Sequence, residues 1–108
     1  MFDVQQTRIF YEWLTSLKDR RAVWLIASRL DRLKFGHFGD VSHVGNGVCE
    51  LRIHFGLGYR VYFQRTGQSI IILLCGGDKG SQARDIQQAK NISLSLQENG
   101  HDGQTISF

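Results

Sequence analysis

The sequence predicts an α+β fold, a small antiparallel β-sheet (mixed at its edge) with an N-terminal helical hairpin and a C-terminal helix. Three observations carry this. Apolar residues recur at helical spacing through residues 8–34. Strand-like alternation takes over between Gly47 and Arg65. A six-residue apolar run, Ile70 to Cys75, then gives way to a second helical period. The implied order is β-α-α-β-β-β-α, with the helices expected on one side of the sheet. At 108 residues the chain fits one domain, taken as residues 1–96, followed by a polar tail, 97–108, to which no structure is assigned.

Asp3 to Gln6 is short enough for an edge strand. Thr7 suits a helix N-cap, since its hydroxyl can accept a bond from a free backbone N–H, and Phe10, Trp13, Leu14 and Leu17 then repeat on one helical face. Asp19 caps a second helix with Val23, Ile26, Ala27, Leu30 and Leu33 inward, and Gly36 supplies the positive φ that ends it. Asn46-Gly47 and Thr66-Gly67-Gln68 are turns, and Gly56-Leu57-Gly58 is a three-residue hairpin loop. Ser69 to Cys75, apolar on both faces, is the central covered strand. Gly76 to Gly80 reads as a loop. Ser81 then caps a third helix with Ala83, Ile86, Ala89 and Leu94 inward.

Composition narrows the function. The apolar run of six falls far short of the ~20 residues needed to cross a bilayer, and no basic start precedes an apolar block, so a cytoplasmic protein without membrane contact is expected. Cys49 and Cys75 sit in strand-like segments and read as reduced, buried thiols. His37 and His43 lack the companion ligands of a metal site, so neither metal nor cofactor is expected. Residues 8–34 hold seven cations against three carboxylates and so carry the whole of the +3 net charge. Such a segment is either a contact for an acidic partner, nucleic acid first among them, or a solvated helical face.

The three-residue loop would set Phe55 opposite Tyr59, His54 opposite Arg60, Arg52 opposite Tyr62 and Glu50 opposite Gln64. Leu51, Ile53, Val61 and Phe63 then face the helices, while Glu50, Arg52, His54, Arg60, Tyr62 and Gln64 form an open polar face. Two guanidinium groups can clamp a phosphate, a histidine can move a proton near neutrality, and a tyrosine can stack on a base. The same face also reads as ordinary solvent-exposed surface with weak ion pairs.

Three linked segments go further. Glu50-Leu51-Arg52-Ile53-His54, Gly58-Tyr59-Arg60-Val61-Tyr62-Phe63 and Leu73-Leu74-Cys75-Gly76-Gly77-Asp78-Lys79, with Phe10, Trp13-Leu14, Leu17 and Gly39-Asp40, resemble the addiction-module killer proteins of the RelE/ParE superfamily, close to HigB-like toxins. The resemblance spans residues 1 to about 95. It implies a RelE-like fold, a cognate antitoxin (a helix-turn-helix protein of the same operon) and a ribosome-dependent endoribonuclease that cuts mRNA without a metal. Under it Arg60 matches the phosphate-binding arginine, Arg52 is a second active-face arginine, and His54 or Lys79 transfers the proton. Tyr62 would place substrate, and Arg29 and Arg32 on the second helix would contact RNA. The superfamily also includes ParE-type toxins, which poison DNA gyrase without an active site, and the fold alone does not separate the two.

Overall fold

A computed structural model describes residues 1–99 and 104–108. Strand β1 (Asp3–Thr7) leads into helices α1 (Arg8–Ser16) and α2 (Arg20–Leu33). Strands β2 (Val41–Gly45), β3 (Val48–Ile53), β4 (Tyr59–Thr66) and β5 (Ile70–Asp78) follow. A 3-10 turn (Lys79–Ser81), helix α3 (Gln82–Asn99) and a last short strand β6 (Thr105–Ser107) complete the order. The six strands form one mixed sheet in the order β2-β3-β4-β5-β1-β6. Every neighbouring pair is antiparallel except β1 with β5, which is parallel.

The starts of α1 and α2 are those expected. Thr7 Oγ1 accepts from Phe10 N at 3.0 Å, and the same hydroxyl donates to the Leu74 carbonyl, tying α1 to the central strand. The Asp19 carboxylate accepts from the backbone N–H groups of Arg21 and Ala22, and Gly36 ends α2 at φ 80°. Phe10, Leu14, Ile26, Leu30 and Leu33 are buried against Leu51, Val61, Phe63, Ile71 and Leu73. Each such side chain removed from water contributes about 1.5–3 kcal/mol.

Four expectations are corrected. The helices lie on both faces of the sheet, because α3 packs Ala89 and Leu96 onto Val48, Tyr62, Ile72, Leu74 and Cys75 on the side opposite α1 and α2. The inward residues of α3 are Asp85, Ala89, Ser93 and Leu96, whereas Ala83 and Leu94 are exposed. Two of the four inward positions are polar: Ser93 donates to Gln64, and Asp85 accepts from Ser81. This disguises the buried face of the helix as a solvent face. Residues 41–45 form an edge strand too short and polar to stand out, and Thr105–Ser107 pairs with β1 while Phe108 packs on Phe10. Residues 100–103 of the tail lie outside the described residues.

The fourth correction concerns Gly76 and Gly77. They belong to β5, opposite Val61 and Arg60, and not to a loop. A Cβ on Gly76 would fall closer than 3.0 Å to the Trp13 ring, and one on Gly77 would meet the Asp85 carboxylate equally closely. The two glycines let α1 and α3 settle onto opposite faces of one strand. Just beyond them, the Asp78 carboxylate accepts from Gly80 N and forms a capping box with Ser81, so Asp78 caps the turn that leads into α3. Gly76→Ala is expected to destabilise the fold by about 1–3 kcal/mol, the cost of forcing a methyl into a close-packed contact with a rigid ring. Urea denaturation checks this, and an unchanged midpoint would mean that Trp13 has room to move.

Candidate functional site

The candidate site lies where β3, β4 and β5 end near the 3-10 turn. The β3–β4 register differs from the expected one by two residues: Arg52 faces Arg60, Glu50 faces Tyr62 and Ile53 faces Tyr59. Strand β3 stops at Ile53, so the loop holds five residues, 54–58, and His54 lies outside the ladder. A slip of two preserves which face each side chain takes. Leu51, Ile53, Val61 and Phe63 therefore face α1 and α2 as expected, and Glu50, Arg60, Tyr62 and Gln64 face α3.

That second face is not open. Tyr62 is fully buried beneath α3, where its hydroxyl donates to Glu50 Oε2 at 3.0 Å. Burial first, and the adjoining carboxylate second, hold its phenol far above the usual tyrosine range. It offers no stacking surface, which removes it from the RNA-contacting set. Glu50, also buried, accepts from Tyr62, from Arg52 Nη1 at 3.1 Å and from Gln82 Nε2 at 2.9 Å. Gln82 thereby pins the start of α3 to the sheet.

Arg60 is largely covered, with 13% of its side chain exposed. Its Nε lies 3.5 Å from Glu50 Oε2, close enough for attraction between charges but without hydrogen-bond geometry, and this buried N–H has no partner among the described residues. Opposite it on β5, the backbone of Gly77 is covered by the Asp85 carboxylate.

Arg52 is engaged on all sides. Its Nε and Nη2 fork onto Asp40 at 3.2 and 2.7 Å, Nη2 also reaches Ser42 at 2.7 Å, and its backbone N–H donates to the Asp40 carbonyl. His54, mostly exposed, places Nε2 2.6 Å from Asp40 Oδ2. The Arg52 fork first, then the His54 contact, hold the Asp40 carboxyl far below the usual carboxylate range. Asp40 thus orients the imidazole while Arg52 orients Asp40. Lys79 is exposed, its stem next to Gly58 at the hairpin end.

Arg52, His54 and Arg60 therefore gather around Glu50 and Asp40, with Lys79 beside the hairpin tip. Arg29 and Arg32 do not join them. Arg29 donates from Nη2 to the Phe38 carbonyl at 3.4 Å, and Arg32 is exposed near the end of α2. The sequence reading missed Asp40 and Gln82 as site residues. Asp40 was legible only as part of a Gly-Asp pair in a loop, and nothing local marks its partnership with residues twelve and fourteen positions on. Both thiols are free and buried, and burial pushes Cys75 up to about 12. No three metal-ligating side chains come together among the described residues, and no described helix is long and apolar enough to cross a membrane.

No protein-family profile matches the sequence. The chain is 47% identical over 93 residues to an uncharacterized protein of Haemophilus influenzae, a match that covers 86% of this chain and 94% of that one. It belongs to that protein's family. The alignment is long enough to embrace the greater part of the α/β core, so the two proteins share a fold over most of their length.

The depressed Asp40 group makes a pH prediction. A carboxyl with a lowered folded-state pKa stabilises the fold above its unfolded value, 3.8, and that contribution is lost as pH falls below it. Asp40→Asn should therefore melt at a lower temperature than the wild type near neutrality, with the gap narrowing below pH ~4. Melting curves across the acid range test this, and a gap independent of pH would remove the ionised Asp40 from the account.

Proposed function

We propose that this chain is the toxin of a type II toxin–antitoxin pair, a HigB-like member of the RelE/ParE superfamily with a RelE-like fold. On this reading it is a ribosome-dependent mRNA endoribonuclease. The resemblance of the three linked segments supplies the class. The observation that carries the nuclease reading is the His54–Asp40–Arg52 arrangement beside Arg60 and Lys79: an exposed imidazole oriented by a carboxylate, with cationic groups around it.

RNA carries its own nucleophile, so the protein has only to align it, neutralise the phosphate and move protons. His54 would take the proton of the 2′-hydroxyl as that oxygen attacks the adjacent phosphorus. The bond to the 5′-oxygen breaks, leaving a cyclic phosphate on one fragment and, once that oxygen takes up a proton, a hydroxyl on the other. Arg60, 13% of whose side chain is exposed, would meet the phosphate as a positive charge and not through its Nε, which is buried beside Glu50, and Lys79 lies near the same hairpin end. Arg52 acts through Asp40 and is a positioning residue, not a direct clamp. The partners on this reading are a helix-turn-helix antitoxin from the neighbouring open reading frame, which should co-purify, and the ribosome with its message.

A second reading, a ParE-type protein that poisons gyrase without chemistry, is favoured by one feature. Arg52 is spent on two carboxylates and Tyr62 is buried, which withdraws two of the four residues that suggested an active face.

Expression alone is expected to arrest bacterial growth, and purified protein should cut ribosome-bound message in the presence of chelators. Arg60→Ala should lower cleavage by about 10²-fold or more, the scale of losing one preorganised donor to a transition-state anion. The fold should survive, since Glu50 keeps Arg52, Tyr62 and Gln82 as donors. Uncut message together with inhibited supercoiling by gyrase would replace the nuclease with the ParE-type reading.

A further inference from the structure

The Asp40 carboxylate is shared between a guanidinium and an imidazole. Arg52 donates from Nη2 to Oδ1 and from Nε to Oδ2, and His54 Nε2 lies 2.6 Å from the same Oδ2. A carboxylate forked by a guanidinium is ionised, and an ionised carboxylate can only accept. The hydrogen in the His54 contact therefore sits on Nε2. A neutral imidazole carries one ring hydrogen, so its lone pair lies on Nδ1. That nitrogen has no hydrogen-bond partner among the described residues, and 74% of the side chain is exposed.

The loop that carries Asp40 is pinned from several sides. The Asp40 carbonyl accepts from the Arg52 N–H at 3.0 Å, so one residue of β3 holds both its backbone and its side chain. Gly39 takes φ 68°, and a Cβ there would fall closer than 3.0 Å to the Arg29 guanidinium, whose Nη2 reaches the Phe38 carbonyl from α2. Phe38 in turn stacks on Phe63 of β4.

We propose that Asp40 is the positioning residue that fixes His54 in its Nε2–H form, and that Nδ1 is the atom that takes the proton of the attacking 2′-hydroxyl. The inference rests on the nuclease reading for the identity of that hydroxyl. As the 2′-oxygen closes on phosphorus, its proton passes to Nδ1. The bond to the 5′-oxygen breaks, and that oxygen takes a proton from solvent. The ring then carries two hydrogens and a positive charge, with the Asp40 carboxylate already in contact. Asp40 thus favours the ring after proton transfer more than before it, and only such a difference speeds the step. Without Asp40 the imidazole would divide between its two neutral forms, and the fraction with hydrogen on Nδ1 would offer the hydroxyl no lone pair. Lys79, the other candidate for proton transfer, makes no ion pair among the described residues.

The test is a long-range proton–nitrogen NMR spectrum of the isotope-labelled full chain, which reports the hydrogen on each ring nitrogen. It is recorded at rising pH until the His54 signals cease to move. In the neutral ring Nε2 should carry the hydrogen and Nδ1 should show the shift of a bare nitrogen. In Asp40→Ala, where Arg52 keeps Glu50 and Ser42 as partners, both signals should move towards the averaged values of a ring exchanging between two forms. The wild-type spectrum decides even if that variant does not fold: a hydrogen on Nδ1, or signals already averaged, overturns the proposal. Cleavage of ribosome-bound message is the second arm. Asp40→Ala should lower kcat by about 10²-fold, the lower end of what positioned proton transfer contributes, with KM little changed. A folded variant with the wild-type kcat also overturns the proposal. Wild-type protein that holds the Nε2–H form and cuts nothing overturns the nuclease reading, and the proton transfer with it, while supporting the hold of Asp40 on the ring.

Discussion

Much of this structure depends on how closely two helices can approach one strand. At Gly76 the Trp13 ring lies against the backbone of β5, and at Gly77 the Asp85 carboxylate does the same from the other face. Side chains at either position would lift α1 or α3 away from the sheet. Seating α3 this low buries Tyr62 and Glu50 and brings Gln82 within hydrogen-bonding reach of Glu50. The polar cluster is therefore a consequence of backbone clearance as much as of the residues that compose it.

The cluster has an internal logic of charge. Glu50 is taken out of water, which is costly for a carboxylate unless donors surround it, and Arg52, Tyr62 and Gln82 do so. Asp40, nearer the surface, completes the coordination of Arg52 with both oxygens and shares Oδ2 with His54. The imidazole at the rim thus inherits its orientation from a chain of contacts that begins in the buried layer. Among the described residues, Arg60 is the one that retains a buried side-chain N–H without a hydrogen-bond partner.

Both helix caps of the hairpin, the covered central strand and the division of β3 and β4 into two faces were legible in the sequence, because each depends on local chemistry or on parity. Parity survives the two-residue error in register, so Leu51 and Val61 stayed on the right side even though His54 did not stay opposite Arg60. The covering of the second face was not legible. Asp85 and Ser93 occupy inward positions on α3 and read as solvent residues, because the groups that satisfy them come from the 3-10 turn and from β4. Asp40 was missed for a related reason: its importance comes from a fork to Arg52, and a loop aspartate looks the same with or without it.

The parallel pairing of β1 with β5 also sets a timetable. Thr7, which starts α1, donates its hydroxyl to the Leu74 carbonyl 67 residues later, and β1 has no sheet to join until that strand exists. At synthesis rates of ~5–20 residues per second, the wait is of the order of several seconds. The outer edge of β1 is closed later still, by Thr105–Ser107 at the very end of the described chain. During translation the α1–α2 hairpin must carry its apolar stripe without the sheet that will bury it. Contacts of such long sequence separation also slow folding after release. The nascent protein therefore cannot assemble the cluster around Glu50 until Gln82 has been made, or complete its sheet until Ser107 has.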